Sequence, residues 1–235
     1  MCPDEKALTD EDLVAYYLAS IEVNKVLKAY CRAMKFKYDG SPREGPKDVT
    51  RIQAKVVSGT PIEQIYDLGG VRLLLHYLNE IDQVKGFIFK SPELWKLHYS
   101  GSAFVNTVKD GTEIWKPHFK DYRAEPRGRV GYRSLHIVVY YPVPGYRNRY
   151  FPCVVNEGDR DKFPVEIQLR TYLLHSWEEK EHVLYAEELK SEFLSGQFYT
   201  ISQLLWHLDS EFQVVNDRIE DMLRERRQET RKGDQ

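Results

Sequence analysis

Two short apolar segments dominate the hydropathy pattern of this chain. Val71 to Tyr77 (VRLLLHY) and Leu135 to Tyr141 (LHIVVYY) are rich in branched and aromatic side chains; glycines precede the first segment and a proline follows the second. This length and composition are typical of buried β-strands. Phe151 to Val155 and Phe163 to Leu169 are predicted as two further strands, with a turn at 156–159 between them. We therefore expect a central β-sheet.

Helical patterns flank the predicted strands. The first helix is expected to end before Asp39, and the pattern is helical again from Thr171 onward. The apolar stripe from Ile201 to Leu223 predicts packing against the core or a partner. The stretch from Phe89 to Lys120 is expected to be a long connection with one hairpin. This order predicts an α+β fold with a central mixed β-sheet flanked by helices. We expect one domain overall, with an N-terminal helix at 1–40, a core at 41–190 and a C-terminal helical extension at 191–235.

The composition excludes several classes of protein. The chain has 235 residues, which suits one domain, and 42% of them are hydrophobic. No apolar run approaches the roughly 20 residues that span a bilayer. The first residues lack the basic start and the apolar stretch of a secretory signal. From these two observations we expect no membrane association. Three scattered cysteines (Cys2, Cys31 and Cys153) fit reduced thiols in a cytoplasmic protein better than a disulfide framework or a zinc site.

Basic residues concentrate between Asp121 and Tyr150, where six arginines stand against two acids. The net charge of the whole chain is −2, so a general polyanion-binding surface is not expected. A solvated basic face would explain the cluster without any ligand. Because the arginines surround a glycine–tyrosine turn, we favour a local phosphate site.

The first of three polar motifs is Asp-Leu-Gly-Gly-Val-Arg, from Asp67 to Arg72. Its glycines allow a ligand to approach the backbone closely. Asp67 precedes a predicted strand, where its carboxylate could hold a hard cation through oxygen. Taken alone, the same pattern is also typical of a tight turn with a capping aspartate.

The second motif is Gly-Tyr-Arg-Ser-Leu-His, from Gly131 to His136. Tyr132 offers a flat face on which a base can stack. Arg133 and His136 add donors suited to phosphate. Strand alternation places Tyr132, Ser134 and His136 on one face. Taken singly, the tyrosine and the histidine also fit ordinary core positions.

The third motif is Glu-Ile-Gln-Leu-Arg-Thr, from Glu166 to Thr171. Glu166, Gln168 and Arg170 alternate with apolar residues, so three polar groups share one face of a strand. Burying Glu166 would be costly without a metal or another cation nearby. A strand that faces solvent is the alternative interpretation.

Together the three motifs, in this order, resemble the synthetase domain of the RelA/SpoT alarmone synthetases, specifically the small single-domain type. The helix after the third motif is also similar through Trp177, Glu181, His182 and Tyr185. The resemblance covers about Arg43 to Tyr185. It implies a nucleotidyltransferase-like synthetase fold with N- and C-terminal helices.

The resemblance also implies a reaction. The chain would be a pyrophosphokinase that transfers the β,γ-pyrophosphate of ATP to the ribose 3′-hydroxyl of GDP or GTP, making (p)ppGpp. Asp67 and Glu166 would be the catalytic residues and would hold Mg²⁺, and Glu166 would take the proton of the acceptor hydroxyl. The implied ATP-binding residues are Arg43, Lys47, Lys55 and Arg72. The implied acceptor-binding residues are Arg127, Tyr132, Arg133, His136, Gln168 and Arg170.

Departures from the family pattern leave the acceptor open. The loop from Pro126 to Tyr132 is one residue longer than usual and lacks the usual asparagine, and Glu178 stands where a small residue is usual. An adenine nucleotide or the tRNA 3′ end is the alternative acceptor. A catalytically dead nucleotide- or RNA-binding module is a third hypothesis. No His-Asp dipeptide occurs in the sequence, so we expect a synthetase without the family's hydrolase signature. The sequence does not reveal the oligomeric state; the resemblance allows a homo-oligomer, because small family members often assemble in this way.

Overall fold

The computed structural model describes residues 9–42, 48–59, 65–91, 94, 104–109, 112–117, 119–148, 162–184 and 191–233. The predicted strand at 151–155 lies outside these ranges, as do Arg43, Lys47 and Tyr185. Of residues 104–119 the structure describes the backbone of the strands alone.

Helices and strands alternate in the first part of the described chain, and five consecutive strands and two helices follow. In chain order the elements are α1 (Asp10–Ala33), β1 (Tyr38–Pro42), α2 (Val49–Val57), a 3-10 turn (Tyr66–Leu68), β2 (Gly69–Leu75), α3 (Leu78–Lys90), β3 (Phe104–Lys109), β4 (Thr112–Pro117), β5 (Phe119–Asp121), β6 (Leu135–Pro142), β7 (Lys162–Thr171), α4 (Tyr172–Leu184) and α5 (Glu192–Gly233).

Five strands form one mixed sheet in the order β1-β2-β7-β6-β5, and β3 pairs with β4 in a separate hairpin. β2 and β7 are parallel, whereas the other neighbours in the sheet are antiparallel. The predicted α+β fold with a central mixed sheet is confirmed. The hairpin expected between Phe89 and Lys120 is also present as β3 and β4.

Strand β1 was missed by the sequence analysis because its sequence, Tyr-Asp-Gly-Ser-Pro, has the composition of a turn. It lies at the edge of the sheet, where a proline costs no ladder hydrogen bond. Gly40 sits between the sheet and α1: a Cβ there would lie 2.8 Å from Leu73 Cδ1 and 3.3 Å from Asn24 Oδ1. Because Gly40 has no side chain, β1 can lie close to both β2 and α1.

Helix α1 covers the sheet and supplies much of the core. A capping box at Thr9 and Asp12 satisfies its first backbone donors. Its buried apolar face includes Ala19, Val23 and Leu27, which belong to the same cluster as the buried side chains of β2, β6 and β7. This packing fixes the three central strands, which carry the polar motifs.

Helix α5 has a buried polar side and an exposed apolar side. Ser202 and Asp209 are buried, whereas the stripe predicted from Ile201 to Leu223 is largely exposed, with Leu204 63% and Phe212 50% accessible. The stripe therefore does not pack into the core of its own chain, and a homo-oligomer that buries it stays a prediction. Among the described residues, no helix combines the length and apolar character needed to cross a membrane.

Candidate functional site

The three polar motifs meet on neighbouring strands at the centre of the sheet. The parallel pairing of β2 with β7 sets Gly70 beside Glu166, and the antiparallel pairing of β6 with β7 sets His136 beside Gln168. Asp67 lies in the 3-10 turn that leads into β2. Its negative charge is close enough to Glu166 to oppose ionisation of that carboxylate. The sheet thus joins residues that are far apart in the sequence.

The carboxylate of Glu166 is held by two neighbours. Oε1 lies 3.0 Å from His136 Nδ1, and Oε2 accepts a hydrogen bond of 2.9 Å from Gln168 Nε2. Burial alone would raise the pKa of Glu166, but the hydrogen bond and charge of His136 and the bond from Gln168 bring it below its usual value. Glu166 is therefore ionised at neutral pH despite its burial.

The hydrogen bonds continue from His136 to form a closed ring of five side chains. Tyr132 Oη lies 2.9 Å from His136 Nε2, and Arg170 Nη2 donates to Tyr132 Oη and to Gln168 Oε1, each at 2.8 Å. An arginine can only donate. The Tyr132 hydroxyl therefore accepts from Arg170, and because an ionised carboxylate can only accept, His136 Nδ1 donates to Glu166. The direction of the hydrogen bond between Tyr132 Oη and His136 Nε2 follows the protonation of the imidazole. We call these five residues, Tyr132, His136, Glu166, Gln168 and Arg170, the carboxylate ring.

The ring connects a cation, Arg170, to an ionised carboxylate, Glu166. Arg170 supplies the donors, Glu166 is the final acceptor, and two arms connect them, one through Tyr132 and His136 and the other through Gln168. Such a network specifies one orientation for each side chain. The ring thus presents Glu166 as an oriented, ionised carboxylate.

Arg170 is also bound on its other side. It is 1% exposed, and its Nη1 forms an ion pair with Glu178 Oε2 of α4. Arg72 Nη2 lies 3.5 Å from the same Glu178 oxygen, and Arg72 Nη1 lies 3.6 Å from Glu179 Oε1. Burial lowers the pKa of Arg170 to about 10, so the side chain is still a cation at neutral pH.

The predicted donor-side residues lie around the first motif. Lys55 Nζ on α2 lies 2.8 Å and 3.0 Å from the two oxygens of Asp67. The Arg72 side chain on β2 is 37% exposed, so a ligand can reach it. The structure thus brings Lys55, Asp67 and Arg72 together, while Arg43 and Lys47 lie outside the described residues.

Arg133 stands apart from the ring. It is buried, donates to the backbone carbonyls of Arg123 and Ala124, and its guanidinium lies 5.1 Å from the centre of the Trp206 ring. Alternation along this segment sends it away from its neighbour Tyr132. In this structure the Arg133 side chain packs between the second motif and α5, and its predicted acceptor role stays a prediction.

Arg127 is exposed and lies beside the second motif. Its backbone pairs with that of Tyr132 through hydrogen bonds of 2.8 Å and 3.1 Å. Its guanidinium lies 5.7 Å from the centre of the Tyr122 ring. The loop before the second motif therefore places a solvent-accessible cation next to Tyr132.

Two residues near the ring were given no role by the sequence analysis. Tyr122 makes edge contacts with the rings of Tyr132 and His136, at centroid distances of 6.1 Å and 5.5 Å. In the sequence, Glu178 is distinguished only by its departure from the family pattern. Tyr122 could have been found from the sequence, because it lies inside the arginine-rich segment. The contacts of Glu178 depend on how α4 packs and leave no pattern in the sequence.

Two sets of carboxylates near the carboxylate ring could hold a cation. His175, Glu178 and Glu179 lie close together, but Arg72 and Arg170 already pair with the two glutamates and would repel a metal ion. Asp67 and Glu166 fit better, because they are oxygen ligands whose mutual repulsion a divalent cation would relieve.

Known proteins similar to this chain belong to the family that the three motifs resemble. The profile of a region found in RelA/SpoT proteins matches residues 44–190, more than half of the chain. The GTP pyrophosphokinase YjbM of Bacillus subtilis (strain 168) is 28% identical over 180 residues, which cover 73% of this chain and 70% of that protein. The GTP pyrophosphokinase YwaC of the same organism is 28% identical over 124 residues, covering 52% and 43% respectively.

Solved structures share the fold. The small alarmone synthetase 1 from Bacillus subtilis bound to its product pppGpp aligns with a TM-score of 0.60 at 22% identity, covering 88% of this chain and 96% of that one. The small alarmone synthetase 2 from the same organism aligns with a TM-score of 0.64 at 18% identity, covering 89% and 99%.

Proposed function

The chain belongs to the RelA/SpoT family, and from this premise we propose that it is a pyrophosphokinase that makes (p)ppGpp by transferring the β,γ-pyrophosphate of ATP to the ribose 3′-hydroxyl of GDP or GTP. The observation that carries the proposal is the state of Glu166: a partly buried carboxylate that is ionised, oriented by the carboxylate ring and close to Asp67. A group in this state suits removal of a proton from a hydroxyl.

Mg²⁺ is the implied cofactor. Asp67 and Glu166 would hold it, because they supply the oxygen ligands that this ion prefers. When bound, the ion neutralises negative charge on the donor phosphates. Lys55, which pairs with Asp67, lies where it can exchange that carboxylate for a phosphate.

The proposed reaction forms a bond between the acceptor 3′-oxygen and the β-phosphorus of ATP and breaks the bond from that phosphorus to the oxygen of AMP. The acceptor hydroxyl gives its proton to Glu166, and AMP leaves. His136 Nδ1 holds one oxygen of Glu166 and thereby limits how the carboxylate can turn. Catalysis of this kind depends on positioning and charge neutralisation, which side chains already fixed by hydrogen bonds provide.

Donor and acceptor would occupy opposite sides of the ring. The exposed guanidinium of Arg72 is suited to stack on the adenine of ATP, with Lys55 near the phosphates. The ring of Tyr132 is suited to stack on the acceptor base. Arg127 lies next to Tyr132, where it can reach acceptor phosphates.

A tRNA 3′ end or an adenine nucleotide is the second candidate acceptor. It is favoured by the loop from Pro126 to Tyr132, in which Arg127 and Arg129 are both exposed. Exposed arginines beside an aromatic side chain also suit a single-stranded nucleic-acid end. The slightly acidic net charge of −2 favours the free nucleotide instead.

A panel of acceptors tests the proposal. Purified protein is mixed with Mg²⁺ and γ-labelled ATP, and GDP, GTP, ADP, ATP alone and deacylated tRNA are offered separately. We expect the label to move to GDP and GTP. Transfer to tRNA or to an adenine nucleotide alone would keep the chemistry but overturn the acceptor. The absence of transfer to every acceptor by folded protein would contradict the proposal.

A further inference from the structure

We propose that Glu178 is a positioning residue for this reaction: it holds Arg170 in the geometry that orients the carboxylate ring, and it draws Arg72 to the same carboxylate. The inference rests on the proposed function, because the ring ends at Glu166. It assigns a role to a glutamate on α4 that touches neither Glu166 nor Asp67 in the contacts that the structure describes.

The geometry of Arg170 makes Glu178 the anchor of the ring. Nη2 of Arg170 binds Tyr132 Oη and Gln168 Oε1, and Nη1 pairs with Glu178 Oε2. Because a guanidinium is planar and rigid, fixing one terminal nitrogen fixes the direction of the other. Both arms that reach Glu166 therefore start from a group whose orientation is set by Glu178.

Charge balance points the same way. Arg170 is 1% exposed and Glu178 is 6% exposed, so each needs a close partner of opposite charge. Arg72 repels Arg170, and Glu178 lies within ion-pair distance of both guanidinium groups. Without Glu178, Arg170 would be left buried beside a like charge.

Loss of Glu178 would also change which acid Arg170 binds. Glu166 is close enough to attract Arg170 electrostatically, yet in this structure Gln168 stands between them in the ring. With Glu178 removed, Glu166 and Glu179 are the remaining acids that attract Arg170. A turn of the guanidinium toward Glu166 would break its hydrogen bonds to Tyr132 and Gln168.

The link through Arg72 joins the two halves of the site. Arg72 is the proposed adenine-stacking residue of the donor side, and Arg170 belongs to the acceptor side. One carboxylate group, that of Glu178, contacts both. Removal of Glu178 should therefore raise the KM for both nucleotides and lower kcat.

The experiment compares Glu178→Ala and Glu178→Gln with Glu179→Ala. Glu179 is the matched control, because it is the next residue, also contacts Arg72, but is 61% exposed and makes no described contact with Arg170. With ATP, GDP and Mg²⁺ we expect Glu178→Ala to lower kcat about tenfold or more, and Glu179→Ala to change it by less than about twofold. Glu178→Gln keeps the shape of the side chain and covers the case in which the alanine variant folds poorly.

A double-mutant cycle separates positioning from general destabilisation. If Glu178 acts through Arg170, then Glu178→Ala should change kcat by less than about twofold when Arg170 is already alanine. Effects that multiply would overturn the inference. So would a Glu178→Gln enzyme with the kcat and KM values of the wild type, or a Glu178→Ala enzyme that is faster.

A readout without turnover distinguishes this inference from the proposed function. The ¹³Cζ resonance of Tyr132 reports hydrogen bonding at its hydroxyl. It should shift in Glu178→Gln and stay in place in Glu179→Ala, whichever acceptor the enzyme uses. An unchanged resonance in Glu178→Gln would overturn the positioning role even if the wild type makes (p)ppGpp. Failure of the wild type to use guanine nucleotides would instead contradict the proposed acceptor alone.

Discussion

The hydroxyl of Ser202 on α5 donates a hydrogen bond to the backbone carbonyl of Gly131 in the second motif. Seven positions along the same helix, Asp209 accepts a 2.5 Å hydrogen bond from Thr171 in the third motif. Residues seven apart lie on one side of an α-helix. The buried side of α5 therefore holds two of the three motifs in place.

The contact at Gly131 can be tested with two glycines of the same loop. Both have a left-handed backbone, with φ of +83° at Gly131 and +71° at Gly128. A Cβ on Gly131 would lie 3.0 Å from Ser202 Cβ and 3.1 Å from Tyr199 Cα, whereas one on Gly128 would meet nothing within 4 Å. We expect Gly128→Ala to lower the free energy of unfolding by about 1 kcal/mol. Gly131→Ala should cost about 1–3 kcal/mol more, because α5 must also move.

Urea denaturation of both glycine variants measures this difference. The acceptor KM should rise in Gly131→Ala and stay constant in Gly128→Ala, because only the first displaces the second motif. Equal losses of stability in the two variants would show that α5 does not press on Gly131.

Asp209 should make the free energy of unfolding decrease as the pH rises. Burial raises its pKa from the ordinary 3.8 to about 6, with the hydrogen bond from Thr171 opposing the rise. The folded protein thus binds this proton more tightly than the unfolded chain. The contribution of this group to stability is fully present below pH 3.8 and is lost as the pH rises through about 6.

Asp209→Asn removes this titration while keeping an oxygen that can accept from Thr171. We expect the variant to gain stability relative to the wild type at pH 7.5, and to gain less at pH 5.0. The measurement is the free energy of unfolding in urea at both pH values. A difference between the two proteins that does not depend on pH would contradict the assignment.

Substitution of Arg133 should lower stability, whereas substitution of Arg127 should raise the acceptor KM. Arg133 is buried, bonds two carbonyls and packs on Trp206, so Arg133→Ala should lower the free energy of unfolding by about 2 kcal/mol. Exposed Arg127 should change stability by less than about 0.5 kcal/mol, while Arg127→Ala raises the acceptor KM. Thermal melts and steady-state kinetics of both variants test this. A stable Arg133→Ala enzyme with a raised acceptor KM would support the acceptor role that the sequence predicted.

The central strands and the polar side chains that they carry could be predicted from the amino-acid sequence. Strong apolar segments identified β2, β6 and β7, and alternation in the third motif correctly put Glu166, Gln168 and Arg170 on one face. The resemblance to a family then grouped motifs that neither composition nor periodicity could have joined. The roles of individual site residues stay predictions.

Other features depend on tertiary contacts that leave no local pattern. The edge strand around Gly40 looks like a turn and is a strand because α1 and β2 accommodate it. Arg133 carries the same charge as its neighbours, but its burial against Trp206 is decided by α5, about 70 residues away in the sequence. The anchoring of Arg170 by Glu178 likewise follows from the packing of α4 on the sheet.

The central claim is that the carboxylates of Asp67 and Glu166 drive pyrophosphate transfer. Its most direct test is the single-turnover rate of AMP release and of product formation from ATP and GDP with Mg²⁺, in wild type, Glu166→Gln and the exposed control Glu179→Gln. We predict AMP and product in equal amounts in the wild type, a loss of about a thousandfold or more in Glu166→Gln, and a nearly unchanged rate in the control. A Glu166→Gln enzyme that keeps a rate within about tenfold of the wild type would contradict the account.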